Sequence, residues 1–157
     1  MNTLANTYYL KALDNYPFDL TEFLEAINYA LSYDENSADA NYLMGRFCME
    51  QLYKYDEAKH HFEIALSNDI NHLQTYYYFI RWSIDTGNLK RAKNLITYAS
   101  TIEGASQANL LHRLATVFEK GGKYKKAKKL IKKAIKTSFK TYCWNRRIPY
   151  IQLGKIR

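Results

Sequence analysis

Residues 72–99 read HLQTYYYFIRWSIDTGNLKRAKNLITYA, and the spacing within them predicts two helices and a turn. Leu73, Tyr76, Phe79, Ile80 and the Ser83-Ile84 pair recur at helical intervals, which marks one apolar face. Gly87 then offers the left-handed position that ends a helix, and Asn88 offers a cap for the next. Leu89, Ala92, Leu95, Ile96 and Ala99 form the second apolar face. Working outward, Ala99 belongs to a series: alanines 30, 65, 99 and 134 lie 35, 34 and 35 residues apart. Seven residues before them stand Phe23, Ala58, Ala92 and Ala127, and three before those stand Leu20, Tyr55, Leu89 and Tyr124. Self-similarity at this period predicts a stacked helical array, with alanine where two helices approach too closely for a larger side chain.

The other copies follow the plan. Ser106 caps a helix burying Leu110, Leu111, Leu114 and Phe118; after Gly121-Gly122 the next buries Tyr124, Ala127, Leu130, Ile131, Ala134 and Ile135. Earlier, Ser37 caps a helix through Tyr42, Leu43, Gly45 and Cys48, and its partner carries Tyr55, Ala58, Phe62 and Ala65. The interval from Gly45 to Ala58 is one residue longer than its counterparts, so the turn at Leu52-Tyr53-Lys54 holds an insertion. In the first copy Pro17 ends a helix near Thr3–Asn15, and Asp19 with Glu22 reads as a capping box for a helix ending near Tyr33. Thr141 to Leu153 is expected to cap the array, with Pro149 kinking or splitting it. The expected fold is all-α: one domain over 1–157, an α-solenoid of four helix-turn-helix repeats (3–36, 37–71, 72–106 and 107–141) and a C-terminal capping helix (141–157).

These copies resemble the tetratricopeptide repeat. Met44, Gly45, Cys48, Ala58, Phe62 and Ala65 match its pattern in the second copy; Tyr76, Phe79, Ile80, Ser83, Ala92, Ile96 and Ala99 match in the third. Leu111, Leu114, Ala115, Phe118, Ala127, Ile131 and Ala134 match in the fourth, whereas the first matches only at Leu10, Ile27 and Ala30. The family's glycine at the eighth place occurs once, and its late proline is replaced by Glu35, Ile70, Gly104 and Phe139.

In that family the first helix of each repeat lines a concave groove that receives a peptide or partner helix. The resemblance carries that groove onto Tyr8, Tyr42, Arg46, Gln74, Tyr77, Tyr78, Arg81, Asn109, His112 and Arg113, with Tyr9, Asp39, Leu43, Glu50, Asp85 and Lys120 beside them. Tyr and Arg dominate binding hot spots, because each joins large contact area to directional hydrogen bonds. A family clamp for C-terminal carboxylates uses two Lys, two Asn and an Arg. Here those places hold Tyr42, Arg46, Tyr78, Asn109 and Arg113, and only Arg113 matches.

No motif argues for an enzyme, a cofactor or a metal. There is no phosphate-cradling glycine loop or nucleophile elbow. His60 and His61 are adjacent and point about 100° apart on a helix, so a solvent-exposed face is the expectation there. Cys48 and Cys143 lack metal spacing and fit reduced thiols in a cytoplasm, with Cys48 on a packed face. The opening Met1-Asn-Thr-Leu-Ala-Asn, without a basic or long apolar stretch, is not expected to be a secretory signal, and the sequence holds no 18-residue apolar run to span a bilayer.

Charge is sharply segregated. Residues 1–110 carry a net −6 and residues 111–157 a net +14. Lys123, Lys125, Lys126, Lys128, Lys129, Lys132, Lys133 and Lys136 fill every position outside the apolar stripe of one helix, and Lys140 extends this basic patch. A solvated outer face is the plain explanation. Like charges at i,i+4 each cost a few tenths of a kcal/mol, however, which favours an anionic counterpart: acidic protein, nucleic acid or lipid headgroups. The leading expectation is a cytoplasmic, non-catalytic protein–protein adaptor. A binder of anionic surfaces through residues 123–140 is the alternative, and self-association through the C-terminal cap, giving a homo-oligomer, is a third.

Overall fold

The computed structural model describes residues 3–145, with side chains described through Thr141. Among them are eight helices and no strand: α1 (Thr3–Asn15), α2 (Leu20–Tyr33), α3 (Ala38–Glu50), α4 (Tyr55–Asn68), α5 (Leu73–Asp85), α6 (Leu89–Ala99), α7 (Gln107–Lys120) and α8 (Tyr124–Asn145). None is long and apolar enough to cross a membrane.

Local chemistry sets the boundaries. Asp19 Oδ1 accepts from the Thr21 and Glu22 amides, Ser37 from Ala40, Asn88 from Arg91 and Ser106 from Asn109, so each side chain satisfies a donor that its helix leaves open. His72 does the same for α5: its Nδ1 accepts from the Thr75 amide at 3.3 Å. The expected capping box is half present. Glu22 turns away from Asp19 and pairs with Lys11 at 2.8 Å, because α1 brings that ammonium alongside. Gly87 and Gly122 hold φ of 77° and 71° in the turns before α6 and α8. Before α4 that duty falls to Tyr53, at φ 56°, inside the predicted insertion.

The chain divides into two compact units, Met1–Trp82 and Ser83–Arg157. In the first, α1 packs on α2 and α3 on α4 as antiparallel hairpins, and α2 abuts α3. Phe23 lies between Tyr16 and Phe47 (ring centroids 5.1 and 4.9 Å), and Phe62 meets Phe79 at 5.6 Å. Trp82 donates its indole N–H to the Tyr55 carbonyl at 2.7 Å, which satisfies the one polar atom of a buried ring. In the second unit α7 packs on both α6 and α8. Ala30, Ala65, Ala99 and Ala134 are all buried, as are Phe23, Ala58, Ala92 and Ala127. Gly45 marks a close approach of α3 to α4: a Cβ there would lie 2.8 Å from the Phe62 ring and 3.2 Å from the Ala58 carbonyl.

Several expectations need correction. Tyr124, Ile131 and Ile135, expected in the core, are 68%, 38% and 65% exposed. Among the described helices α8 packs on α7, and a single contact face (Ala127 and Ala134 buried, Leu130 half-buried) leaves the next stripe open. Residues 141–145, assigned to the cap, continue α8 without a break; the rest of that segment lies outside the described residues. His61 is half-buried rather than on an open face. Its Nδ1 lies 2.9 Å from Oδ1 of the buried Asn41, whose amide nitrogen donates to the Glu35 and Ser37 carbonyls. Burial, then the neighbouring His60, lowers its pKa. Cys48 is buried as expected, and burial raises its thiol pKa.

Two stability outcomes follow from these contacts. Gly45→Ala should destabilise by about 1–3 kcal/mol through overpacking against a buried ring. Tyr53→Gly should stabilise by about 1 kcal/mol, because the strained left-handed backbone relaxes and an exposed ring gives up little packing. Urea denaturation of both variants checks these signs.

Candidate partner-binding surface

Glu50, at the end of α3, joins three helices. Its Oε2 accepts from the Tyr16 hydroxyl at 2.7 Å and from Arg46 Nε, one helical turn back, at 2.9 Å. Its Oε1 accepts from Arg81 Nη1 of α5 at 2.6 Å. The Arg46 guanidinium also lies over two rings, its Cζ 4.5 Å from the Tyr16 centroid and 5.0 Å from that of Tyr78. Tyr78 meets Tyr42 edge-on at 5.6 Å, Tyr42 meets His72 at 5.5 Å, and His72 Nε2 donates to Asp39 at 3.0 Å. The result is a ladder of aromatic and charged groups running from Tyr16, just past α1, across α3 to α5. Its rungs exist because Tyr16 and Glu50 lie 34 residues apart and Asp39 and His72 lie 33 apart, one repeat in each case.

Electrostatics follow the contacts. Burial alone would raise the Glu50 carboxyl, but hydrogen bonds from Tyr16, Arg46 and Arg81 and the Arg46 charge hold it below the usual carboxylate range. Burial and the bond to Glu50 push the Tyr16 hydroxyl up, and burial, then Tyr78, raises Tyr42. Arg46 loses solvation yet ends above its ordinary value through Glu50 and the two tyrosines beside it.

A cavity of about 240 Å³ opens where α1 passes the starts of α3 and α5, lined by Asn6, Tyr9, Asp34, Asp39, Asp69 and His72, among others. Asp34 and Asp69 occupy equivalent turns, each accepting from the amide two residues on. Burial, with Asp39 and then Tyr42 nearby, pushes the Tyr9 hydroxyl up to about 12.

The fold sorts the expected groove residues. Tyr42, Arg46, Tyr78 and Arg81 come together. Tyr42 is buried and Arg46 is held by Glu50, so these two build the surface, whereas half-buried Tyr77 and Tyr78 and exposed Gln74 and Arg81 present it. Leu43 is fully buried and belongs to the core. Tyr8 does not join the ladder; its ring stacks on Tyr29 and Tyr33 of α2, at 5.1 and 5.8 Å, and Tyr9 faces the cavity instead. In the second unit Arg113 Nε donates to Asn109 Oδ1 at 2.7 Å, and His112 is exposed. Tyr16 was missed by the sequence reading, and its only signal was its place one repeat before Glu50.

The expected basic patch is exposed throughout, but it is not one uniform cluster. Lys123 stands before α8 rather than on it, and its carbonyl accepts from the Ala127 amide at 3.1 Å. Along α8 the helical period puts Lys125, Lys129, Lys132 and Lys136 on one stripe and Lys126, Lys133 and Lys140 on the next, with Lys128 inside the open stripe of Tyr124, Ile131, Ile135 and Phe139. Lys126 also reaches toward α7, with Nζ 5.9 Å from the Phe118 centroid, so part of this charge leans on the core instead of standing clear of it.

The fold superposes on that of known structures. Two crystal structures of MamA superpose with TM-scores of 0.74 and 0.73 at 17% identity, over 88% of this chain and 80% and 75% of theirs. PilF of Pseudomonas aeruginosa superposes with a TM-score of 0.76 at 19% identity, over 87% of this chain and 62% of that one. Both are tetratricopeptide-repeat proteins. The fold here is the tetratricopeptide-repeat fold. No family model matches the sequence, and no curated protein matches it. Within the chain Phe23 is buried at the place where the later repeats have Ala58, Ala92 and Ala127.

Glu50→Gln should cost about 1–3 kcal/mol at neutral pH, since Arg46 and Arg81 lose their charged acceptor. Because the native Glu50 pKa is depressed, its contribution is complete above the unfolded carboxylate value of about 4.3 and is lost as pH falls through the native value. The stability gap between wild type and variant should thus close below about pH 4, which denaturation at stepped pH measures.

Proposed function

We propose that the protein is a non-catalytic interaction scaffold whose ladder receives a partner peptide or helix. The observation that carries this is the Glu50 hub: a bidentate carboxylate and the Arg46 guanidinium over the Tyr78 ring fix Tyr78 and Arg81 in place before any partner arrives. Pre-ordered Tyr and Arg side chains lose little entropy on binding, which is where much of an interface's cost lies. Tyr77, Tyr78, Gln74 and Arg81 make the contacts in this reading; Tyr16, Tyr42, Arg46 and Glu50 support them. A second reading is favoured by the nine exposed lysines of α8 and its approach, which together support an anionic counterpart for that face.

Peptides selected on the full chain from a displayed random library test the first reading. Arg81→Ala and Tyr77→Ala should each weaken the selected peptides at least about tenfold. Replacing the α8 lysines by glutamine should leave those peptides bound. Peptides that bind both groove variants unchanged would place the receiving surface elsewhere.

A further inference from the structure

The two terminal hairpins present opposite charge and open apolar stripes. In the first, Leu4 is 53% exposed, and one turn on Tyr8 stacks against Tyr29 and Tyr33, themselves 47% and 45% exposed, so these residues share one face. Residues 3–36 carry six carboxylates against Lys11 alone, and Lys11 is paired with Glu22. In the last hairpin Tyr124, Ile131, Ile135 and Phe139 fall on one helical stripe of α8, with Phe139 41% exposed. Lys128 falls within that stripe, one turn after Tyr124, Lys132 borders it, and residues 107–141 hold eleven Lys and Arg against Glu119.

We infer that the α8 face is a docking surface for the α1–α2 face of a second copy of this chain, so that molecules join head to tail. This rests on reading α8 as a surface for an anionic counterpart, and it names that counterpart. Within the chain the same problem is already solved the same way: α3 covers a side of α2, and α7 covers a side of α6. A first helix laid on the preceding second helix is the repeat's own inter-hairpin contact, and α1 of another copy supplies one to α8. Charge selects this pairing. Two α8 faces set against each other would oppose lysine to lysine, whereas Glu25, one turn before Tyr29, meets Lys128 or Lys132 with opposite sign. The contact joins unlike surfaces, so each docked copy leaves one of each kind free and growth continues. Exposed tyrosines and isoleucines supply the apolar centre, and the charges supply direction.

Sedimentation of the full chain over a concentration series tests this. At about 50 mM salt the mean mass should climb with concentration, and at about 500 mM it should fall back toward the monomer as screening shortens. A tail variant, Lys132→Glu with Ile135→Glu, and a head variant, Glu25→Lys with Tyr29→Lys, should each remain monomeric with wild-type helicity. Mixed in equal amounts, they should form a one-to-one complex and stop there, because each keeps one intact surface. Rescue on mixing also proves that both variants are folded. A wild type that stays monomeric throughout, or variants that still self-associate or fail to pair, overturns the inference. A monomer retained by phosphatidylserine vesicles or duplex DNA would overturn it as well, while leaving α8 an anion-binding face.

Discussion

Close approach of paired helices is the constraint on which the rest depends. Alanine at 58 and 65 and glycine at 45 let α4 lie against α3 with carbonyl and ring at contact distance, and a methyl group added at 45 would already collide. Dispersion between such surfaces is weak per atom and falls steeply with separation, so fractions of an ångström decide whether a hairpin packs. In the first unit, once a hairpin closes, its first helix lies near the first helix of the hairpin beside it. Tyr16, Arg46, Glu50, Tyr78 and Arg81 meet only because that spacing holds.

The ladder they make shows how a thin helical layer fixes polar groups at its surface. Glu50 would be costly at partial burial with one partner; three donors, two of them cationic, make its charged form the favoured one. Arg46 is likewise held by a carboxylate and lies over the rings of Tyr16 and Tyr78. What these contacts supply is order. Half-buried Tyr78 and exposed Arg81 stand at defined positions on a face where long side chains ordinarily wander.

Charge is distributed on a coarser scale. Acidic side chains crowd the first hairpin and lysines the last, and each end also leaves tyrosine, leucine or isoleucine open to solvent. Where a hairpin has a successor packed on it, as α3 packs on α2, part of that apolar side is covered. Tyr29 and Tyr33 of the first hairpin and Ile131 and Ile135 of the last stay exposed, beside acidic side chains in the one case and lysines in the other.

The sequence alone determined most of the helices and their limits, and the pairing of α1 with α2, α3 with α4 and α7 with α8, though it broke α8 at residue 141. Period, caps and turn glycines act over a few residues, so Asp19, Ser37, Asn88 and Ser106 could be recognised without any neighbour in space. It also determined the lysine face of α8, because one helix period suffices to place Lys125, Lys129, Lys132 and Lys136 together. That Lys126 leans on Phe118 could not be read the same way, since the ring belongs to α7. Which of the expected groove residues stay exposed was not legible either. Tyr8 and Tyr9 are adjacent in sequence, yet one stacks on α2 and the other lines a cavity; Tyr42 and Tyr77 share a repeat position, yet only the first is buried. His61 joined a buried asparagine, and Tyr124, Ile131 and Ile135 stayed open, for the same reason. Local periodicity says which side of a helix is apolar, but only the neighbouring helices, set by contacts between residues far apart in the chain, decide which part of that side is covered.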